Sequence, residues 1–146
     1  MQNKVVIITG ASSGIGKALA FRFAAAGARL VLAARRVNLL DEIVKQLPQT
    51  EILMVETDVS REEDCRGLVE KAIARFGQID VLINNAGISM RALFTEVELD
   101  VLRRLMDVNF WGTVYCTKYA LPHLLQTKGS VVGVISVAGH VGLPGR

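Results

Sequence analysis

Cysteine is scarce in this chain of 146 residues: it has two, Cys65 and Cys116. They lie far apart, each inside a helical pattern, with neither CxxC spacing nor a metal-ligand cluster around them. That argues against a disulfide framework and for buried thiols in a reducing compartment. Long apolar runs are missing as well. The longest fall well short of the roughly 18 residues a membrane span requires, and no charged-then-apolar leader precedes the first strand-like run. A cytoplasmic protein without membrane partners is expected. Charge of one sign is not concentrated either, since the net charge of +3 comes from scattered lysines and arginines, paired only at Arg35-Arg36 and Arg103-Arg104. A nucleic-acid footprint needs a clustered basic face, so no nucleic acid is expected. Repeats, low-complexity tracts and linkers are also absent, which leaves one domain over 1–146.

What is present is informative from the ninth residue. The octapeptide Thr9-Gly10-Ala11-Ser12-Ser13-Gly14-Ile15-Gly16 follows the apolar run Val5-Val6-Ile7-Ile8 and opens into Lys17-Ala18-Leu19-Ala20-Phe21. This is a strand, a glycine turn and a helix N-terminus. Free N–H groups and the positive end of the helix dipole make such a turn an anion site, and glycines let a phosphate come close. A dinucleotide is the expected occupant. The spacing is G-x-x-x-G-x-G, and a strand–helix joint without a ligand can carry the same glycines.

Short apolar runs and longer amphipathic segments alternate through the rest. Strands are predicted at 4–9, 29–33, 51–56, 81–84 and 130–136, with helices at 15–26, 37–47, 61–76 and 98–126. Continuously apolar strands separated by helix-length crossovers indicate a parallel sheet covered on both faces, a doubly wound α/β fold. Gly27, Gly77 and Gly129 stand where helices should stop. Ser60-Arg61-Glu62-Glu63 and Thr95-Glu96-Val97-Glu98 read as capping boxes. Within 98–126 the stripe Leu102, Leu105, Met106, Phe110, Val114, Thr117, Leu121 and Leu124 has the spacing of a buried face, with core as the default reading.

In an open parallel sheet, ligands bind beyond the carboxyl ends of the strands. Asn84-Asn85-Ala86-Gly87 stands at one such end, where an Asx turn is the plainer alternative. Taken in order, the octapeptide, Thr57-Asp58-Val59, Asn84 to Gly87, Asp107-Val108-Asn109-Phe110-Trp111-Gly112 and Ile135-Ser136-Val137-Ala138-Gly139 make the chain resemble a short-chain dehydrogenase/reductase over nearly its whole length. That resemblance implies a Rossmann-type sheet of strand order 3-2-1-4-5, with further strands and helices beyond it. It implies that Gly10, Ser12, Ser13, Gly14, Ile15 and Gly16 hold the cofactor phosphates and adenosine ribose. Asp58 and Val59 would flank the adenine, and Asn85, Ala86 and Gly87 would lie along the cofactor. Ser136 would be the catalytic serine, for which the plainer reading is a hydroxyl capping the next turn. Asn109 would support a proton-relay water.

Charge then bears on the form of the cofactor. After the second strand an NAD site carries an acidic residue for the ribose 2′-hydroxyl, but this chain has Ala33-Ala34-Arg35-Arg36. A guanidinium suits a 2′-phosphate, so Arg35 and Arg36 favour NADP(H) over NAD(H). The alternative is a solvated pair at a helix start. The family's general acid, a tyrosine four residues before a lysine, would fall just past Arg146, and Tyr115 and Lys118 do not have its spacing. The polypeptide 1–146 is therefore expected to be inactive alone, as the cofactor-binding portion of an NADP-dependent oxidoreductase acting on a small-molecule carbonyl or secondary alcohol. A non-catalytic nucleotide-binding sensor or scaffold of the same fold is the alternative. The resemblance also implies a homo-dimer or homo-tetramer in the full-length form, and with no metal-ligand cluster in the sequence no metal is expected. Ile88 to Arg91 and Val137 to Leu143 would line the substrate side, and His140 and His123 are read as surface histidines.

Overall fold

A computed structural model describes residues 1–139 and 141–142 of the chain. Five strands, β1 (Val5–Thr9), β2 (Arg29–Ala34), β3 (Ile52–Glu56), β4 (Val81–Asn84) and β5 (Ser130–Gly133), form one parallel sheet in the order β3-β2-β1-β4-β5. The helices are α1 (Gly14–Ala25), α2 (Val37–Gln46), α3 (Glu62–Phe76), α4 (Leu99–Met106) and α5 (Gly112–Thr127). In-register pairing runs Val5↔Arg29 to Thr9↔Ala33 on one side of β1 and Val6↔Val81 to Ile8↔Ile83 on the other.

Every residue of β1 is buried, because the two-residue period of a strand sends alternate side chains to two separate cores. Val6 and Ile8 pack with Leu30, Leu32, Ala20, Leu40 and Ile43 on the α1/α2 side. Val5 and Ile7 pack with Val31, Leu68, Ala72, Cys116 and Ala120 on the α3/α5 side. Each fully buried Val, Leu or Ile contributes about 1.5–3 kcal/mol relative to exposure. That two-sided burial explains why the strands read as unbroken apolar runs.

Five sequence expectations are corrected. The helix expected over 98–126 is two helices joined by a π-helical turn, Asp107–Trp111. There the Asn109 side chain leaves the helix to bond the backbone of Ile88. The fifth strand stops at Gly133 instead of Ser136, because its partner β4 ends at Asn84; the last ladder bond runs from Val134 N–H to Asn84 O, 2.9 Å. Neither capping box forms. Ser60 donates its hydroxyl (2.7 Å) and its N–H (3.1 Å) to Asp58 Oδ1 in an Asx turn, and Thr95 lies in a turn closed by Glu96 and Val97 N–H on Leu93 O. α1 and α3 stop before Gly27 and Gly77 as expected, but Lys128, not Gly129, takes the left-handed turn after α5.

The fifth correction concerns which face of α4 and α5 is inside. Val108, Gly112, Cys116, Ala120 and Leu124, at every fourth position, face the sheet and α3. Of the expected stripe only Leu124 is fully buried, while Met106, Phe110 and Leu121 are exposed. Small side chains sit inside because the helix lies close to Val59 and α3. A Cβ on Gly112 would come within 2.7 Å of Val59 Cγ2.

Candidate functional site

The site lies at the carboxyl edge of the sheet, where the crossovers on either side of β1 diverge, the place where an open α/β sheet leaves a crevice. Two turns meet there, the glycine loop after β1 and the Asn84–Ile88 turn after β4. Thr9, almost wholly buried, joins them. Its Oγ1 accepts the N–H groups of Asn85 and Ala86, both at 3.0 Å, and donates 3.3 Å to Ile83 O. Asn85 returns the contact, its Nδ2 donating to Thr9 O at 2.9 Å and Gly10 O at 3.2 Å. The Asx turn weighed for Asn84 to Gly87 gives way to this longer-range lock.

Glycine is required where the turns touch. Gly10 has φ +64°, and a Cβ on it would lie 2.8 Å from Ala86 Cα. A Cβ on Gly16 would collide with the Gly10 carbonyl oxygen and the Asn85 amide. The result is a cleft of about 300 Å³ floored by backbone, with Gly10, Ser12, Ser13 and Ile15 on one wall and Asn85, Ala86, Gly87 and Ile88 on the other. Helix α1 starts at Gly14 with no acidic residue in its first turn. Its free N–H groups and positive dipole end suit an anion.

The rim is basic. Arg36 Nη2 donates to both Ser12 Oγ and Ser13 Oγ, 3.2 Å each, so the residue after β2 reaches the glycine loop. Arg35 lines the same cleft, with Thr57, Asp58 and Val59 after β3. Burial opposes ionisation of Asp58, but hydrogen bonds from Ser60, with Arg35 and Arg104 nearby, outweigh it and hold the carboxyl below the usual carboxylate range. A cleft with glycine floors, a helix N-terminus, two guanidinium groups and serine hydroxyls fits a phosphate-rich dinucleotide.

The two residues expected to act on substrate are placed differently from the rest. Asn109 does not line the cleft. Its Oδ1 accepts Ile88 N–H and its Nδ2 donates to Ile88 O, both at 2.9 Å, so it clamps the far end of the Asn84–Ile88 turn. Ser136 is exposed beyond β5, and its Oγ accepts Ala138 N–H at 3.2 Å, the turn-capping arrangement. His140 and Leu143 lie outside the described residues. Gly16 lies buried behind the lining, and Gly14, exposed at the start of α1, does not line the cleft.

Several contributors were not legible as such. Thr9 carries no mark of this role within the octapeptide, and Ala34, Val108 and Val134 also line the cleft. Cys65 and Cys116, distant in sequence, are both buried and free. A hydrogen bond with Cys65, together with burial, pushes the Cys116 thiol far above its ordinary range, and Cys65 Sγ lies 3.4 Å from Val59 O. Among the described residues no His, Cys, Asp and Glu cluster is placed to hold a metal ion, and no helix is long and apolar enough to cross a membrane. Phe110 is 50% and Leu125 70% exposed, and Phe110, Trp111 and Tyr115 form a continuous aromatic row along the outer side of the π turn and α5. All four residues of β5, at the sheet edge, are exposed.

Comparison with known proteins agrees with this arrangement. The chain is 46% identical over 145 residues to 11-beta-hydroxysteroid dehydrogenase A of Sesamum indicum, covering 97% of this chain and 42% of that protein. It is 44% identical over 149 residues to 11-beta-hydroxysteroid dehydrogenase 1A of Arabidopsis thaliana, with 99% and 42% covered. The chain thus spans less than half the length of these relatives. Among solved structures, the alcohol dehydrogenase of the archaeon Thermococcus sibiricus complexed with 5-hydroxy-NADP superposes with a TM-score of 0.96 at 33% identity, covering 99% of this chain and 63% of that one. A short-chain dehydrogenase/reductase of Burkholderia phymatum in complex with NAD gives 0.95 at 32% identity, covering 99% and 53%. The family model for short chain dehydrogenases matches residues 4–146, and with the sheet order and the glycine loop in place, the chain belongs to the short-chain dehydrogenase family of oxidoreductases.

Proposed function

We propose that this chain is the cofactor-binding portion of an NADP(H)-dependent oxidoreductase that moves a hydride between the nicotinamide and a carbonyl or secondary alcohol. The observation carrying the cofactor choice is the bond from Arg36 to Ser12 and Ser13 at the cleft rim. No carboxylate follows β2 to accept a ribose 2′-hydroxyl, and a guanidinium beside two hydroxyl donors suits a 2′-phosphate. Arg35 adds a second cation on the same side. Gly10, Gly14 and Gly16 with the α1 N-terminus take the pyrophosphate, Ile15 covers it, Asp58 and Val59 flank the adenine, and Asn85, Ala86 and Gly87 run along the rest.

Bound NADP(H) supplies the hydride, and the chain's own residues bind and orient. Ser136 donates its hydroxyl to the substrate oxygen, which it can do while its Oγ still accepts Ala138 N–H. Asn109 fixes Ile88 and thereby the wall of the cleft. Within 1–146 no tyrosine stands four residues before a lysine, and a carbonyl reduced by hydride needs a proton donor. The names of the relatives support an apolar, steroid-like ketone or secondary alcohol as substrate, and Ile88 and Met90 after β4 agree with an apolar lining. The exposed apolar side of α4 and α5 supports a homo-dimer or homo-tetramer of the full-length protein. The test is fluorescence titration of purified 1–146 with NADPH and NADH, followed by a carbonyl-reduction assay. Tighter binding of NADPH with no turnover is expected. Equal affinity for the two, or sustained NADPH oxidation by 1–146, contradicts the reading.

A further inference from the structure

We infer that Thr117, on the inner shoulder of α5, is a positioning residue for the dinucleotide. The inference rests on the dinucleotide reading above and names a residue that reading does not use. Asn84, the last residue of β4, is buried at 5% exposure. Its Nδ2 donates 3.0 Å to Thr117 Oγ1 across 33 positions of sequence. The turn it begins, Asn84–Ile88, is one wall of the cleft. Asn109 holds the other end of that turn through Ile88, and Thr9 holds its middle through Asn85 and Ala86. Thr117 and Asn109 belong to one helical rod, so this rod fastens the turn at both ends while β1 fastens the centre.

The chemistry makes the Thr117 fastening consequential. A buried amide donor left without an acceptor loses a hydrogen bond that water cannot replace. With valine at 117 the shape is kept and the acceptor is gone, so Asn84 must turn toward solvent and take the start of the turn with it. The adenosine end of the cleft, formed by Arg35, Arg36, Asp58 and Val59, sits on β2 and β3 and does not depend on this bond. The loss therefore falls on the part of a dinucleotide that runs along Asn85 to Gly87, and spares a ligand confined to the adenosine end.

Two ligands separate positioning from simple destabilisation. NADPH spans the cleft, whereas adenosine 2′,5′-bisphosphate occupies only the adenosine end. Calorimetric titration of Thr117→Val is expected to raise the Kd for NADPH about tenfold, leave that for the bisphosphate within twofold, and return to wild-type values in Thr117→Ser, which restores the acceptor. Unchanged NADPH affinity in Thr117→Val, an equal rise for both ligands, or failure of Thr117→Ser to restore binding overturns the inference while leaving the dinucleotide reading intact. A wild-type chain that binds the bisphosphate and NADPH not at all overturns the dinucleotide reading itself, and this inference with it. If Thr117→Val does not fold, Asn84→Leu, which removes the amide at nearly the same volume, is expected to show the same split between the two ligands. Unchanged NADPH affinity, or an equal rise for both ligands, in that variant then overturns the inference.

Discussion

Replacing Arg36 by methionine separates the cofactor reading from a merely structural role, because the two predict opposite signs. The substitution keeps an apolar stem and removes the guanidinium that bridges Ser12 and Ser13. A cation about 4 Å from a unit negative charge is worth about 1 kcal/mol at the dielectric of water. A 2′-phosphate carries about −1.5 to −2 charges near neutrality, so the loss is about 1.5–2 kcal/mol. That corresponds to about 10- to 30-fold in NADPH affinity, with NADH changed by less than twofold. Without cofactor the sign reverses. Arg36 flanks the N-terminus of α2, where a positive charge opposes the helix dipole, so its removal stabilises the empty protein by a few tenths of a kcal/mol. Paired titrations with NADPH and NADH at two ionic strengths, beside urea unfolding of the empty chain, read both effects. The NADPH-to-NADH difference must also shrink as salt shortens the screening length from about 30 Å to about 8 Å. An unchanged ratio in Arg36→Met, or a drop in stability matching the drop in affinity, refutes the charge argument.

Three other outcomes are expected. Thr9→Val strips two N–H groups of their shared acceptor and should cost about 1–3 kcal/mol in urea unfolding, with Thr9→Ser close to wild type; equal stability of all three means the turns are not joined through Thr9. Asp80, 4% exposed, takes hydrogen bonds from Lys4 Nζ and Val5 N–H at 2.8 Å and Gln78 Nε2 at 2.7 Å. Burial raises its pKa, but these bonds together outweigh burial, and the net value lies below the ordinary carboxylate range. Its contribution is therefore complete above about pH 4 and lost as pH falls through the lower native value, so Asp80→Asn should cost about 1.5–3 kcal/mol at pH 7 and flatten the acid limb of a stability–pH curve. An acid limb identical in wild type and Asp80→Asn would falsify that assignment. If the proposed assembly forms through the exposed side of Phe110 and Leu125, Phe110→Lys combined with Leu125→Lys should lower the sedimentation coefficient to that of a monomer; an unchanged sedimentation coefficient removes this face from the proposal.

The half of the site around β1 was legible because each level of the sequence agreed. Val5 to Ile8 could only be a doubly buried strand, and the glycines at 10, 14 and 16 had to follow it and open a helix. The cross-links were not legible, since Thr9 to Asn85, Arg36 to Ser12 and Thr117 to Asn84 join positions 24 to 76 residues apart. No local pattern encodes such pairs. The inner face of α4 and α5 was misread for a different reason. Large apolar residues normally mark the buried stripe, but here Gly112, Cys116 and Ala120 face inward where close approach leaves no room for more. Ser136 was assigned to a strand because its neighbours Val134 and Ile135 are β-branched, and only the length of β4 shows that pairing has already ended.

The π turn at Asp107–Trp111 carries a consequence for how this region tolerates change. An i→i+5 turn takes up one residue more than the α-helical turn it replaces, and the Asn109 side chain stands out from the helix there. Deleting one residue from the turn would close it to ordinary α-helix, leaving α5 and Thr117 in place but drawing Asn109 away from Ile88, whereas one residue inserted early in α5 would rotate Thr117 off Asn84 by about 100°. Side chains on the outer side bear on the proposed assembly and not on these internal contacts. In this segment length is constrained more tightly than identity, so its insertions and deletions should be far more damaging than its substitutions.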